Sequence, residues 1–127
     1  MRTHPTTPLL LLLLLALASL AATARAETIE VRPDAATAGA DVVLALGGLK
    51  FGQGYRVDLV KLSVQGESYV LEQVTGPADN AETLRTRIPA VATTGDWSLN
   101  LVATQGGAIV AQAPFQVLPG LDRKSVV

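Results

Sequence analysis

The sequence predicts an all-β sandwich, and three observations carry that expectation. Apolar and polar residues alternate with a period of two through most of the chain after residue 27. Glycine, proline, asparagine and aspartate interrupt the alternation at short intervals. No stretch of about 12 residues beyond the first 26 holds an amphipathic helical period.

The first 26 residues have a different character. Arg2 and His4 make a weakly basic start, and seven consecutive leucines, Leu9 to Leu15, follow. No charged residue intervenes between His4 and Arg25, and Ala24-Arg25-Ala26 matches the small-x-small rule for signal cleavage. The apolar run is about 16 residues, short of the ~20 that span a bilayer as a helix. The expectation is an exported protein, periplasmic or extracellular, with a signal peptide over 1–26 and no membrane span after cleavage. Removing 26 of the 127 residues leaves 101, enough for one domain of ordinary stability. The chain has no cysteine, so packing and sheet hydrogen bonds must hold that domain without disulfides.

The strands follow in order. Residues 28–32 alternate with Ile29 and Val31 on one face, until Pro33-Asp34 breaks the run. Residues 35–40 read as a small-residue loop. Val42, Leu44 and Leu46 mark a second strand closed by Gly47-Gly48, and Gly52 and Gly54 keep the next loop open. The third strand covers 55–64. Its phase slips, with Val57 and Leu59 on one face and Val60, Leu62 and Val64 on the other, which predicts a bulge or a strand covered on both faces. Residues 68–74 form a fourth strand and 83–88 a fifth, separated by the turn-rich segment 76–80. In the fifth, Leu84, Thr86 and Ile88 lie opposite Arg85 and Arg87. The last two strands form a hairpin. Trp97, Leu99, Leu101 and Ala103 alternate before the glycines, and Ile109, Ala111, Ala113, Phe115 and Val117 after them. Pro114 has no N–H to donate, so the last strand should be an edge or carry a bulge there. About seven short antiparallel strands make the pattern of an immunoglobulin-like sandwich over 27–119. Residues 120–127 show no period and read as a disordered or truncated tail.

Two stretches also resemble bacterial exported immunoglobulin-like modules, in particular the IPT/TIG group. The first runs Ile29-Glu30-Val31-Arg32-Pro33, Ala38-Gly39-Ala40-Asp41-Val42-Val43-Leu44 and Gly48-Leu49-Lys50-Phe51-Gly52. The second is Ile88-Pro89-Ala90, Thr94-Gly95-Asp96-Trp97-Ser98-Leu99-Asn100-Leu101 and Phe115-Gln116-Val117. The resemblance implies a module for protein or glycan interaction, or a spacer in the cell envelope, and carries over no catalytic residue.

Composition narrows the chemistry. His4 and Met1 both precede the cleavage point, so the mature chain has no histidine, cysteine or methionine. It therefore lacks the imidazole and sulfur ligands of copper and zinc sites, and the histidine of Ser-His-Asp and Cys-His catalysis. No cofactor or metal is expected. All 11 acidic residues follow residue 26, while Arg2 and Arg25 of the 10 basic residues precede it; the mature net charge is about −3. A mildly acidic domain has no field for nucleic acid. Paired carboxylates could still serve as acid and base, but no spacing joins two of Asp58, Glu67, Glu72, Asp79, Glu82 and Asp96. Glu72, opposite Tyr69 and Leu71, reads as solvent-facing. Asp79, Asn80 and Glu82 have oxygens for calcium but lack its dense ligand spacing, and read as turn chemistry.

Two surfaces remain. Lys50, Phe51, Gln53 and Tyr55 sit in a glycine-rich loop, 47–54, that lacks the ending of a phosphate cradle. At one end of a sandwich such a loop presents binding groups, although Phe51 and Tyr55 could instead cap the core. Arg85 and Arg87 share an outward strand face and could hold a partner's carboxylates, or simply remain solvated. The expected function is non-catalytic: protein interaction or structural spacing in the cell envelope. The alternative is a carbohydrate-binding module using loop aromatics, with a cell-surface glycan as partner.

Overall fold

The computed structural model describes residues 26–63 and 66–120. The expected signal peptide, apart from Ala26, the tail beyond Gly120 and Val64 of the third strand lie outside these residues. Among the described residues no helix is long and apolar enough to cross a membrane.

The described residues are all-β, with eight strands in two sheets: β1 (Thr28–Arg32), β2 (Ala35–Thr37), β3 (Asp41–Gly47), β4 (Gly54–Lys61), β5 (Ser68–Thr75), β6 (Glu82–Arg87), β7 (Gly95–Ala103) and β8 (Ile109–Leu118). One sheet has the order β1-β3-β6 and the other β2-β8-β7-β4-β5. Their apolar faces share one core, to which β3 contributes Val42, Leu44 and Leu46 and β7 contributes Trp97, Leu99 and Leu101.

The element missing from the sequence reading is β2. Three small residues with no alternation gave no signal for a strand. They pair in parallel with β8, Ala35 opposite Gln116 and Thr37 opposite Leu118. The chain thus leaves the three-stranded sheet at Arg32, passes a cis Arg32–Pro33 peptide, and joins the other sheet. This explains Pro114. The Gln116 N–H donates to the Asp34 carbonyl at 3.0 Å, so residues of that parity on β8 direct their nitrogens toward the β2 side. Pro114 lies two residues before the β2 pairing begins, where a missing N–H leaves no ladder bond unmade.

The irregularities fall elsewhere than expected. β4 alternates strictly, with Tyr55, Val57, Leu59 and Lys61 all buried. The slip is in its neighbour: Val57 pairs with Glu72 and Asp58 with Val70, leaving Leu71 as the extra residue of a bulge in β5. Glu72 is in consequence half-buried, not solvent-facing. A second bulge leaves Val110 unpaired between Leu101–Ala111 and Val102–Ile109. It throws Ile109 out of the inward phase of β8, and Ile109 is 53% exposed.

Lys61 is the residue that the phase reading missed. It continues the inward row of Tyr55, Val57 and Leu59, pairs across with Trp97 and is only 7% exposed. A buried ammonium needs acceptors on every side. Lys61 Nζ donates to Thr93 Oγ1 and to the Thr94 carbonyl, both at 2.7 Å, and sits 5.0 Å from the centre of the Trp97 ring. The Thr93 hydroxyl in turn donates to the Glu67 carboxylate at 3.2 Å. Trp97 Nε1 donates to the Thr93 carbonyl at 2.9 Å, and no buried side-chain nitrogen or oxygen among the described residues lacks a partner.

Urea denaturation tests this arrangement. Trp97→Ala should cost about 3–5 kcal/mol. Lys61→Ala should cost about 2 kcal/mol through lost charge-assisted bonds. Lys61→Met, which retains the packed stem, should cost less than Lys61→Ala.

Candidate functional site

The end of the sandwich where β3 stops and β4 begins carries the loop singled out in the sequence. Its backbone is tied down. Gln53 N–H closes a turn onto the Lys50 carbonyl at 3.1 Å. Gly52 N–H donates to the Gly76 carbonyl at 2.9 Å, and Gly76 N–H donates back to the Gln53 carbonyl at 2.8 Å. Gly76 is required by proximity, because a β-carbon there would collide with the Lys50 carbonyl. Asn80 clamps the other side. It adopts φ 64°, its side-chain amide donates to the Leu49 carbonyl at 2.6 Å, and Leu49 N–H donates to its carbonyl at 2.9 Å. Asn80 thus serves the turn and the clamp. Glu82 is paired with Leu46 inside β6, and no group of three metal-ligating side chains occurs among the described residues.

The four loop residues divide into two kinds. Tyr55 is 1% exposed and packs in the core. Its hydroxyl accepts from Lys50 N–H at 2.8 Å and donates to Glu27 Oε2 at 3.0 Å. Lys50 Nζ reaches the same carboxylate at 3.3 Å, with its side chain 66% exposed. Gln53 is half-buried within the turn. Phe51 is 75% exposed at the tip. Tyr55 is therefore a support for the loop, while Phe51 is presented to solvent. An open cleft of about 450 Å³ at this end is lined by residues 47–50 and 79–81.

Glu27 is the supporting residue that sequence reasoning overlooked. It precedes β1 and has no motif. Burial by itself would raise its carboxyl, but the hydrogen bonds from its own backbone N–H, from Tyr55 and from Lys50, together with the Lys50 charge, hold it below the ordinary carboxylate value. Burial pushes the Tyr55 phenol up, and the facing Glu27 carboxylate adds to this.

Arg85 and Arg87 are not part of this end. They lie on the outer face of β6, where Arg87 Nε meets Asp41 at 3.2 Å and Arg85 stands opposite Val43. Asp41 opens β3 and the tip loop follows its other end, roughly 20 Å away at strand rise. Arg85 makes no ion pair among the described residues.

No family model matches the chain, and no curated protein matches it. Similarity is found among solved structures. Macromomycin matches with a TM-score of 0.54 at 17% identity, over 75% of this chain and 100% of that one. A superoxide reductase (neelaredoxin) from Ignicoccus hospitalis gives 0.47 at 10% identity, over 74% and 80%. The sporulation control protein Spo0M from Bacillus subtilis gives 0.43 at 12% identity, over 77% and 51%. At these identities the macromomycin match is a likeness of fold.

The Glu27 anchor has a pH signature. A carboxylate whose folded value is depressed contributes stability that is fully present above its unfolded value, near 4.5, and is lost as pH falls through the lower folded value. Urea midpoints measured from pH 7 to pH 3 should show this loss in the wild type. Glu27→Gln should be less stable at pH 7 and should show a correspondingly smaller decline on acidification.

Proposed function

We propose that the chain is an exported, non-catalytic immunoglobulin-like module that binds a protein partner through the tip formed by residues 47–54 and 76–81. The sheet orders support the immunoglobulin-like reading. The first strand region divides between the sheets as β1 and β2, and β8-β7-β4 forms the centre of the larger one. Export rests on the leader pattern of residues 1–26, and the absence of catalysis on the lack of histidine and cysteine in the mature chain.

The exposure of Phe51 carries the proposal. A large aromatic held in water loses hydrophobic stabilisation, so its neighbours in the loop do not benefit from it there. Here the backbone beneath it is fixed by the Gly52–Gly76 and Asn80–Leu49 bonds. A preorganised loop presenting one aromatic meets a partner with little further ordering cost, and buried aromatic anchors dominate most interfaces. A sugar-binding platform has less support. Tyr55 and Trp97 are buried, and Tyr69 is half-buried against Trp97 with ring centres 6.0 Å apart. Phe51 has no second exposed aromatic beside it to build a planar row.

The test is a pull-down from envelope extract of the organism that makes the protein, with wild-type and Phe51→Ala baits side by side. A partner held by wild type and lost at least tenfold with Phe51→Ala is the expected outcome, equivalent to about 1.4 kcal/mol or more. Equal retention by both baits would remove the tip from the interface and direct attention to Arg85 and Arg87. No retained protein, together with binding on a glycan array, would reverse the order of the two readings.

A further inference from the structure

The bond that the leader pattern marks for cleavage, Ala26–Glu27, is built into the folded tip. A β-carbon on Gly48 would collide with the carbonyl carbon and oxygen of Ala26, so the bare Cα of Gly48 stands against that carbonyl. On the other side of the bond, the Glu27 side chain is only 8% exposed. Its carboxylate is held by the Tyr55 hydroxyl at 3.0 Å and by Lys50 Nζ at 3.3 Å. The next residue, Thr28, already pairs with Gly47 in the ladder between β1 and β3. A peptidase takes its substrate as an extended strand, brings a nucleophile to the carbonyl carbon and surrounds the carbonyl oxygen with donors. Here the carbonyl rests on Gly48, the side chain after the bond is buried, and the strand beyond it is committed to β3. Cutting this bond therefore requires the tip to open.

We propose that closure of the tip shuts the leader cleavage site, so that the chain is processed before it folds. This inference rests on reading residues 1–26 as an export leader. The step itself is hydrolysis. The Ala26–Glu27 C–N bond breaks, the oxygen of water bonds to the Ala26 carbonyl carbon, and the proton passes to the Glu27 nitrogen. The products are a carboxylate on Ala26 and an ammonium on Glu27. A copy that folded with its leader attached would hold the bond out of reach. The order that the geometry permits is passage of the unfolded chain, then cleavage, then closure of Tyr55 and Lys50 onto Glu27.

Purified signal peptidase acting on the whole chain in detergent micelles tests it, with the cut located by intact mass. Wild type is compared with two variants that leave the residues around the bond unchanged. The double variant Tyr55→Phe, Lys50→Ala releases the Glu27 carboxylate while keeping the Tyr55 ring in the core. Trp97→Asp puts a charge at a wholly buried position and supplies unfolded chain. Urea titration verifies which of the three unfold cooperatively. The expected result is rapid release from Trp97→Asp of a 101-residue product beginning at Glu27. Folded wild type should release it at least about tenfold more slowly, with the double variant in between. Equal rates for folded wild type and Trp97→Asp would overturn the proposal and leave the leader reading intact. Wild-type protection undiminished in the double variant would overturn the role given to the Glu27 contacts. No cut at Ala26–Glu27 in any of the three chains, Trp97→Asp included, would overturn the leader reading and the proposal with it.

Discussion

Without a cysteine to join the two sheets, the sandwich depends on apolar contact between their faces, and strand β7 contributes the bulkiest side chain of the shared core, Trp97. Trp97, Leu99 and Leu101 are wholly buried there, between β4 on one side and β8 on the other. The indole needs a partner for its N–H and a lid for its face. The Thr93 carbonyl supplies the first and the Lys61 ammonium the second. Lys61 is tolerated inside only because Thr93 and Thr94 turn carbonyl and hydroxyl oxygens toward it. One end of the core is therefore closed by a polar seal built from Lys61, Thr93 and Thr94.

The opposite end is built on the same principle but with a different outcome. Tyr55 closes the core, and its hydroxyl is held between the Lys50 backbone and Glu27. Leu49 of the same loop is wholly buried in the core, while Phe51 beyond it is not. The loop is braced by the 76–80 turn, yet its largest apolar side chain faces water. Phe51, 75% exposed on a braced loop, makes this pole the candidate contact surface. The arginines of β6 lie on the outer face of the smaller sheet, away from the tip, and Arg87 is already engaged by Asp41.

Much of this was legible in the residues themselves. The alternation of 28–32, 42–46 and 97–103 assigned inward faces that the structure shows buried. The proline in β8 foretold an unpaired edge, and the glycine-rich loop was recognised as the tip. Other features were not legible. Ala35 to Thr37 have no pattern because their strand is defined by its partner β8, not by a buried face of its own. The bulges at Leu71 and Val110 shift faces by one residue, and such a shift is set by pairing with a neighbouring strand. Lys61 was hidden because a charged residue in an inward phase looks like the end of a strand until its acceptors, more than thirty residues away, are in place.

By itself, the sequence determined an all-β fold, the positions of most turns, the faces of regular strands, and a composition without cysteine whose single histidine is His4. These are local properties: period two and turn chemistry act between residues close in the chain. Tertiary structure alone decided the order of strands in each sheet, the division of the first strand region between them, and the burial of Tyr55 and Lys61 while Phe51 stays exposed. Those outcomes depend on contacts between residues far apart in the chain, such as Glu27 with Tyr55 and Lys61 with Thr93. A side chain's phase names the face it occupies, but only the elements that arrive opposite decide whether that face is covered.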